Sequence, residues 1–200
     1  MPIHADLRAA ELTYLVGHSE MALAVVLPNR EGMLRAAATE ANVQVETIRP
    51  EVAGRIPAAR TAPPLAGQQL GRNSECALLY TSGTTGRPKG CRLSNGYFLR
   101  AGEWYLGLGA LAEVRYDEER FITPLPLSHM NALAFSSMAA ILSGGAIIQL
   151  DRFHPNTWWQ SVRESGATIA HYLGVMIRSS SGRTSASAPR PRYHSPARRK

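Results

Sequence analysis

Ten consecutive residues, Thr81-Ser82-Gly83-Thr84-Thr85-Gly86-Arg87-Pro88-Lys89-Gly90, concentrate the groups that hold phosphate oxygens. Four hydroxyl residues, Thr81, Ser82, Thr84 and Thr85, fall within five positions, and Gly83 and Gly86 let the backbone come close to a ligand. Lys89 follows the second glycine by three places. Backbone N–H groups and hydroxyls donate hydrogen bonds to an anion, and the ammonium adds a positive charge. The pattern is not the G-x-x-x-x-G-K-[ST] loop, because Pro88-Lys89 is followed by Gly90 and no Gly-Lys-Ser/Thr closes it. Short Thr/Ser/Gly clusters are commonly solvent turns; a run of ten residues rich in them, with the cation Lys89 near its end, favours an anion-binding loop. A second candidate is His129, which ends the proline-bounded stretch Pro124-Leu125-Pro126-Leu127-Ser128-His129. A single histidine is more often structural than functional. On residue type alone His129 is therefore read as structural.

The elements that position these residues alternate. Leu12, Leu15 and Val16 share a helical face within Leu7–Ser19, and Leu23–Leu27 is a short apolar run ended by Pro28-Asn29, as a strand would be. Glu31–Ala41 is built of helix formers, and Val43–Ile48 alternates apolar with polar. Residues 53–72, with Pro57, Pro63 and Pro64, read as a surface connection. Cys76–Thr81 reads as a buried strand leading into the glycine loop, which leaves through Cys91-Arg92-Leu93. A helix at Asn95–Leu108 follows, then a strand at Phe121–Thr123, the proline-bounded loop and a helix at Ala132–Ser143. A strand at Ala146–Leu150, a helix at Pro155–Ser165 with proline in its first turn, and a strand at Thr168–Leu173 complete the series. Such alternation predicts an α/β fold with a mostly parallel sheet and flanking helices.

Composition narrows the function classes. A chain of 200 residues, 44% hydrophobic, is long enough for an ordinary core. Seven of its 22 basic residues, Arg178, Arg183, Arg190, Arg192, Arg198, Arg199 and Lys200, lie in 177–200 without an acid. The remaining 15 bases face 15 acids, so residues 1–176 are neutral and the +7 belongs to the tail. That tail is Ser, Arg, Pro and Ala and predicts disorder. Two cysteines, Cys76 and Cys91, make neither a disulfide framework nor a zinc site, and the start of the chain carries no secretory or transit pattern, so a cytoplasmic location is expected. The apolar stretch Ala132–Leu150 is about as long as a membrane span, but Gly144-Gly145 and its serines argue for a helix and a strand instead.

With Tyr80 before it, the loop Thr81–Gly90 resembles the most recognisable segment of the adenylate-forming (AMP-binding) enzymes, which include acyl-CoA synthetases. Pro124–His129 resembles that family's proline-rich loop ending in His. The likeness runs over roughly residues 2–176, and Met130-Asn131-Ala132 with Trp158-Trp159 is similar to carnitine/crotonobetaine–CoA ligases. It implies part of the large N-terminal domain of an adenylate-forming ligase, with an incomplete, mostly parallel sheet. It also implies ATP, Mg²⁺ and CoA as cofactors and a carboxylic acid as substrate. By the same likeness Thr81, Ser82, Gly83, Thr84, Thr85, Gly86 and Lys89 bind the β- and γ-phosphates. Lys89 and His129 are then the catalytic candidates, the His lining the approach of carboxylate and thiol; no metal ligand is assigned.

The family's later motifs do not occur in these 200 residues. Missing are the aromatic-Gly-x-Thr-Glu stretch that holds Mg²⁺, the ribose-binding Asp, the hinge, and the lysine of the small C-terminal domain; Thr39-Glu40 has no glycine before it and lies far upstream. The expectation is therefore a partial AMP-binding domain at 1–176, inactive alone, with its first part already passed and its reading frame lost after Met176. The DNA after that codon, read in three frames, tests the last point. Two other readings are kept: activity completed by a second polypeptide, and nucleic-acid or acidic-partner binding through the tail, for which no specific nucleic-acid motif is present. Uncovered sheet edges predict aggregation without a partner.

Overall fold

The computed structural model describes residues 1–4, 6–50, 69–81, 87–174, 176 and 192–194. Ser82–Gly86, most of the expected connection at 53–72 and most of the tail thus lie outside the described residues. The chain divides into two compact units, one made of Ile3–Leu70 and Tyr80–Gly90, the other of Met1–Pro2, Gly71–Leu79 and Cys91–Lys200.

In the smaller unit, helix α1 (Ala9–Ser19) begins where Glu11 turns back to accept from the Arg8 amide at 2.9 Å, satisfying a donor that the helix leaves unpaired. Strand β1 (Leu23–Val25) follows, then α2 (Pro28–Glu40) and β2 (Glu46–Ile48), and β1 and β2 pair in parallel with Leu23 opposite Glu46. Pro28, read from sequence as the end of a strand, is instead the first residue of α2. Its fixed φ suits that position and its missing N–H costs nothing there. Leu12 and Val16 of α1 meet Leu34, Ala37 and Ala38 of α2 in one apolar cluster. Buried Glu31 is held by Arg35, whose Nη2 lies 2.6 Å from Oε1, by Arg49 and by the Thr47 hydroxyl. Those bonds, that of Arg35 first, bring the Glu31 carboxyl down from 4.5 to about 2.

Strands β3 (Glu75–Thr81) and β4 (Lys89–Ser94) form a two-stranded sheet. The composition of β3 predicts burial, but only Leu79 is buried and Cys76 is exposed, as is Cys91 in β4. The larger unit continues with α3 (Asn95–Leu106), capped by Ser94, whose Oγ accepts from the Tyr97 amide at 3.3 Å. Its main sheet holds β5 (Arg120–Thr123), β6 (Ala146–Gln149), β7 (Ile169–His171) and β8 (Arg192–His194), in the order β6-β5-β7-β8 with every pair parallel. β8 falls inside the stretch read from sequence as a disordered tail and pairs in parallel with β7.

Both faces of β5 are covered, as parallel strands require. Phe121 packs with Tyr105, Ala139 and Ala140 on the side of α3 and α4 (Ser137–Ser143). Ile122 packs with Trp158 and Val162 of α5 (Trp158–Glu164) on the other. The helix expected at Ala132–Ser143 divides into a π-helical turn, Asn131–Ser136, and α4. Hydroxyls accompany the wide turn: Ser137 Oγ donates to the Ala132 carbonyl at 2.7 Å, and Ser136 Oγ lies 3.5 Å from Asn131 Oδ1. Pro155, expected in the first turn of α5, sits in the turn before it. β6, read as a buried strand, alternates half-buried with exposed residues.

Candidate functional site

The two stems of the glycine loop are the end of β3 and the start of β4. Strand β3 delivers Tyr80 and Thr81, and β4 begins at Lys89. The stems meet where Thr81 Oγ1 lies 3.5 Å from the Lys89 carbonyl oxygen, so two of the expected phosphate-binding residues are brought together. Both are exposed, as is Arg87, leaving a hydroxyl and two cations at the mouth of the loop. Ser82, Gly83, Thr84, Thr85 and Gly86 lie outside the described residues.

Helix α1 contacts both stems. Tyr14 Oη donates to the Pro88 carbonyl at 3.1 Å, and the Arg87 guanidinium carbon stands 5.8 Å from the centre of the Tyr14 ring. His18 Nδ1 shares a 2.7 Å hydrogen bond with the Tyr80 hydroxyl. Burial, and second the nearby Tyr14, push the Tyr80 phenol above its ordinary value. From sequence none of these three aromatic residues was given a role in the site, although Tyr80 opens the loop motif. The i, i+4 spacing of Tyr14 and His18 puts them on one helix face, but their partners are 74 and 62 residues away.

The expected His129 belongs to the larger unit. Its amide donates to the Pro126 carbonyl at 3.0 Å and its carbonyl accepts from the Leu133 amide at 3.0 Å, which fixes the backbone of this exposed residue between the proline loop and the π-helical turn. That loop leaves the carboxyl end of β5, from which the chain passes to α4 on one face of the sheet; after β6 it passes to α5 on the other. The carboxyl ends of β5 and β6 therefore flank a topological switch point, where open α/β sheets bind ligands. Gln149, the last residue of β6, donates to the Leu125 carbonyl at 2.9 Å and ties the loop to that edge. Trp104, Tyr105, Met130, Asn131 and Phe135 line a cavity of about 500 Å³, whose wall residue Met130 follows His129 in the chain. Behind it His171, buried against Tyr105 with ring centres 4.7 Å apart, is hydrogen-bonded through Nδ1 to Ser136 Oγ.

Deeper in this unit burial pulls the Glu119 carboxyl up, but hydrogen bonds from the Thr168 hydroxyl and from Arg115 outweigh it and hold the group below its ordinary value. Glu119 thereby joins the turn before β5 to the start of β7 and serves structure. Among the described residues no cluster of three His, Cys, Asp or Glu could hold a metal ion, and no helix is long and apolar enough to cross a membrane.

A family model described as AMP-binding enzyme matches residues 1–194. The chain belongs to that family. The match runs past Met176, where the likeness was expected to stop, and includes β8. Sulfoacetate–CoA ligase of Cupriavidus necator is 31% identical over 187 residues, 88% of this chain and 34% of that protein. Crotonobetaine/carnitine–CoA ligase of Salmonella paratyphi B is 29% identical over 109 residues, 54% of this chain and 20% of the relative. Among solved structures, ATP-bound MatB from Rhodopseudomonas palustris superposes with a TM-score of 0.70 at 25% identity, over 90% of this chain and 35% of that one. This chain thus spans about a third of the length of the sulfoacetate ligase it matches.

Proposed function

We propose that this chain supplies the phosphate-gripping part of an ATP-dependent acyl-CoA ligase. The observation that carries the reading is the meeting of Thr81 and Lys89 at the base of a loop whose ten residues have the family's pattern. A hydroxyl, the Lys89 ammonium and the Arg87 guanidinium suit a polyanion, and therefore the triphosphate of ATP. Mg²⁺ would arrive bound to those phosphates.

In the proposed reaction a carboxylate oxygen of the substrate attacks the α-phosphorus and the bond to pyrophosphate breaks, giving an acyl-adenylate. The thiol of CoA then attacks the acyl carbon and AMP leaves. Negative charge grows on the departing pyrophosphate, and Lys89 with the loop donors, fixed beforehand, stabilises it. His129 lines the approach of carboxylate and thiol. The cavity walled by Trp104, Tyr105, Phe135 and Met130 suits an acid with an apolar body.

The family's later motifs are absent from these 200 residues, so adenylation requires groups from elsewhere, in further chain or in a complementing polypeptide. The cytoplasm is the proposed location. ATP–pyrophosphate exchange with a panel of carboxylic acids, on the chain alone and with the products of neighbouring genes, tests the reading. Exchange only in a complemented mixture is expected. Exchange by the chain alone contradicts its dependence on other groups, and none in any mixture contradicts the ligase assignment.

A further inference from the structure

Four contacts converge on one face of α1, all within the smaller unit. Tyr14 and His18 are one helical turn apart with ring centres 5.4 Å from each other. His18 reaches the outgoing stem of the glycine loop at the Tyr80 hydroxyl, and its ring meets the Tyr80 ring edge-on at 5.6 Å. Tyr14 reaches the returning stem, donating to the Pro88 carbonyl and lying under the Arg87 guanidinium. Both residues are occupied by the loop stems, and neither is needed to bury the α1–α2 core, which Leu12 and Val16 form on the other side of the helix.

We infer that Tyr14 and His18 are positioning residues for the two stems of the phosphate loop, holding Tyr80–Thr81 and Arg87–Lys89 against α1 before the nucleotide arrives. This rests on the ATP-binding reading above. A loop that must be ordered by its ligand loses affinity to that ordering; stems pinned beforehand to a packed helix do not. The cation–π contact gives Arg87 a resting place that leaves Lys89 as the leading cation of the stem.

The test uses the whole chain, with Tyr14→Phe, His18→Leu, the double variant, His18→Gln, and Lys89→Met as a contact control. Three quantities are read: amide exchange at Thr81 and Lys89 without ATP, the urea midpoint of unfolding, and the dissociation constant for ATP. Each single removal is expected to speed stem exchange and weaken ATP about fivefold, the effect of one hydrogen bond, with the midpoint unchanged. The double variant should lose more, and His18→Gln, which can still bond to the Tyr80 hydroxyl, should recover most of the loss. Lys89→Met should weaken ATP without faster exchange. Unchanged exchange, or faster exchange with unchanged ATP affinity, overturns the inference while the ATP-binding reading stands. Failure of the unaltered chain to bind ATP overturns that reading, and the inference with it.

Discussion

Thr81 Oγ1 and the Lys89 carbonyl oxygen stand 3.5 Å apart, so the chain returns to its own β3 stem after the loop. That closure directs the exposed Lys89 side chain from the first residue of a strand, where its backbone is held. Replacing Lys89 with Met is expected to weaken ATP by roughly 10- to 100-fold, the range of one charge-assisted contact. Arg87→Met should cost less, because its guanidinium already rests on Tyr14. Calorimetric titration of both variants checks the order, and an equal loss in the two would contradict it.

Gly102 lies in α3 where α4 crosses it. A Cβ there would come within 2.6 Å of Leu142 Cδ1, 2.9 Å of Met138 Cβ and 3.1 Å of the Met138 carbonyl carbon. The leucine tip can swing aside but the Met138 backbone cannot. Gly102→Ala is therefore expected to destabilise the larger unit by about 1–3 kcal/mol, the usual cost of overpacking. Urea unfolding followed by Trp fluorescence reports it.

Glu31 gives the smaller unit a defined acid sensitivity. Its carboxyl titrates near 2 in the folded chain instead of at 4.5, so it is ionised more readily folded than unfolded. The stabilisation is fully present above pH 4.5 and is lost as pH falls from there toward 2. The unfolding midpoint should drop over that window in the unaltered chain and drop less in Glu31→Gln. Parallel pH curves for the two proteins would show that the Arg35–Arg49 pairing does not act this way.

The cavity walled by Trp104 and Met130 predicts which acids enter. Cinnamate should quench the fluorescence of Trp104, a cavity wall, more strongly than acetate does at equal concentration. Trp104→Phe should abolish the quench although Trp158 and Trp159 remain. A quench that survives this change would place the acid elsewhere.

The order of helices and strands was legible because apolar runs and their bounding prolines follow the sheet's own period. Phe121 and Ile122 read as one strand and face opposite helices. Element ends were less legible, since Pro28 opens a helix and Pro155 only precedes one. A proline fixes its own φ but not which side of it the helix lies on. The π-helical turn depends on where the Ser136 and Ser137 hydroxyls find partners, and His171 is one of these, 35 residues on. Of the site, Thr81, Lys89 and His129 were marked by their motifs. Tyr14 and His18 were not, and Tyr80 was marked only as the head of the loop motif, because only the folded chain brings α1 to the loop stems.

The central claim is that this chain grips the phosphates of ATP through the loop between β3 and β4. The most direct measurement is a titration of ATP into the unaltered chain, repeated with pyrophosphate present. Saturable one-to-one binding that pyrophosphate competes away, and that AMP does not displace at the same concentration, is the result expected. Absence of saturable binding, or binding displaced by AMP and untouched by pyrophosphate, would contradict it.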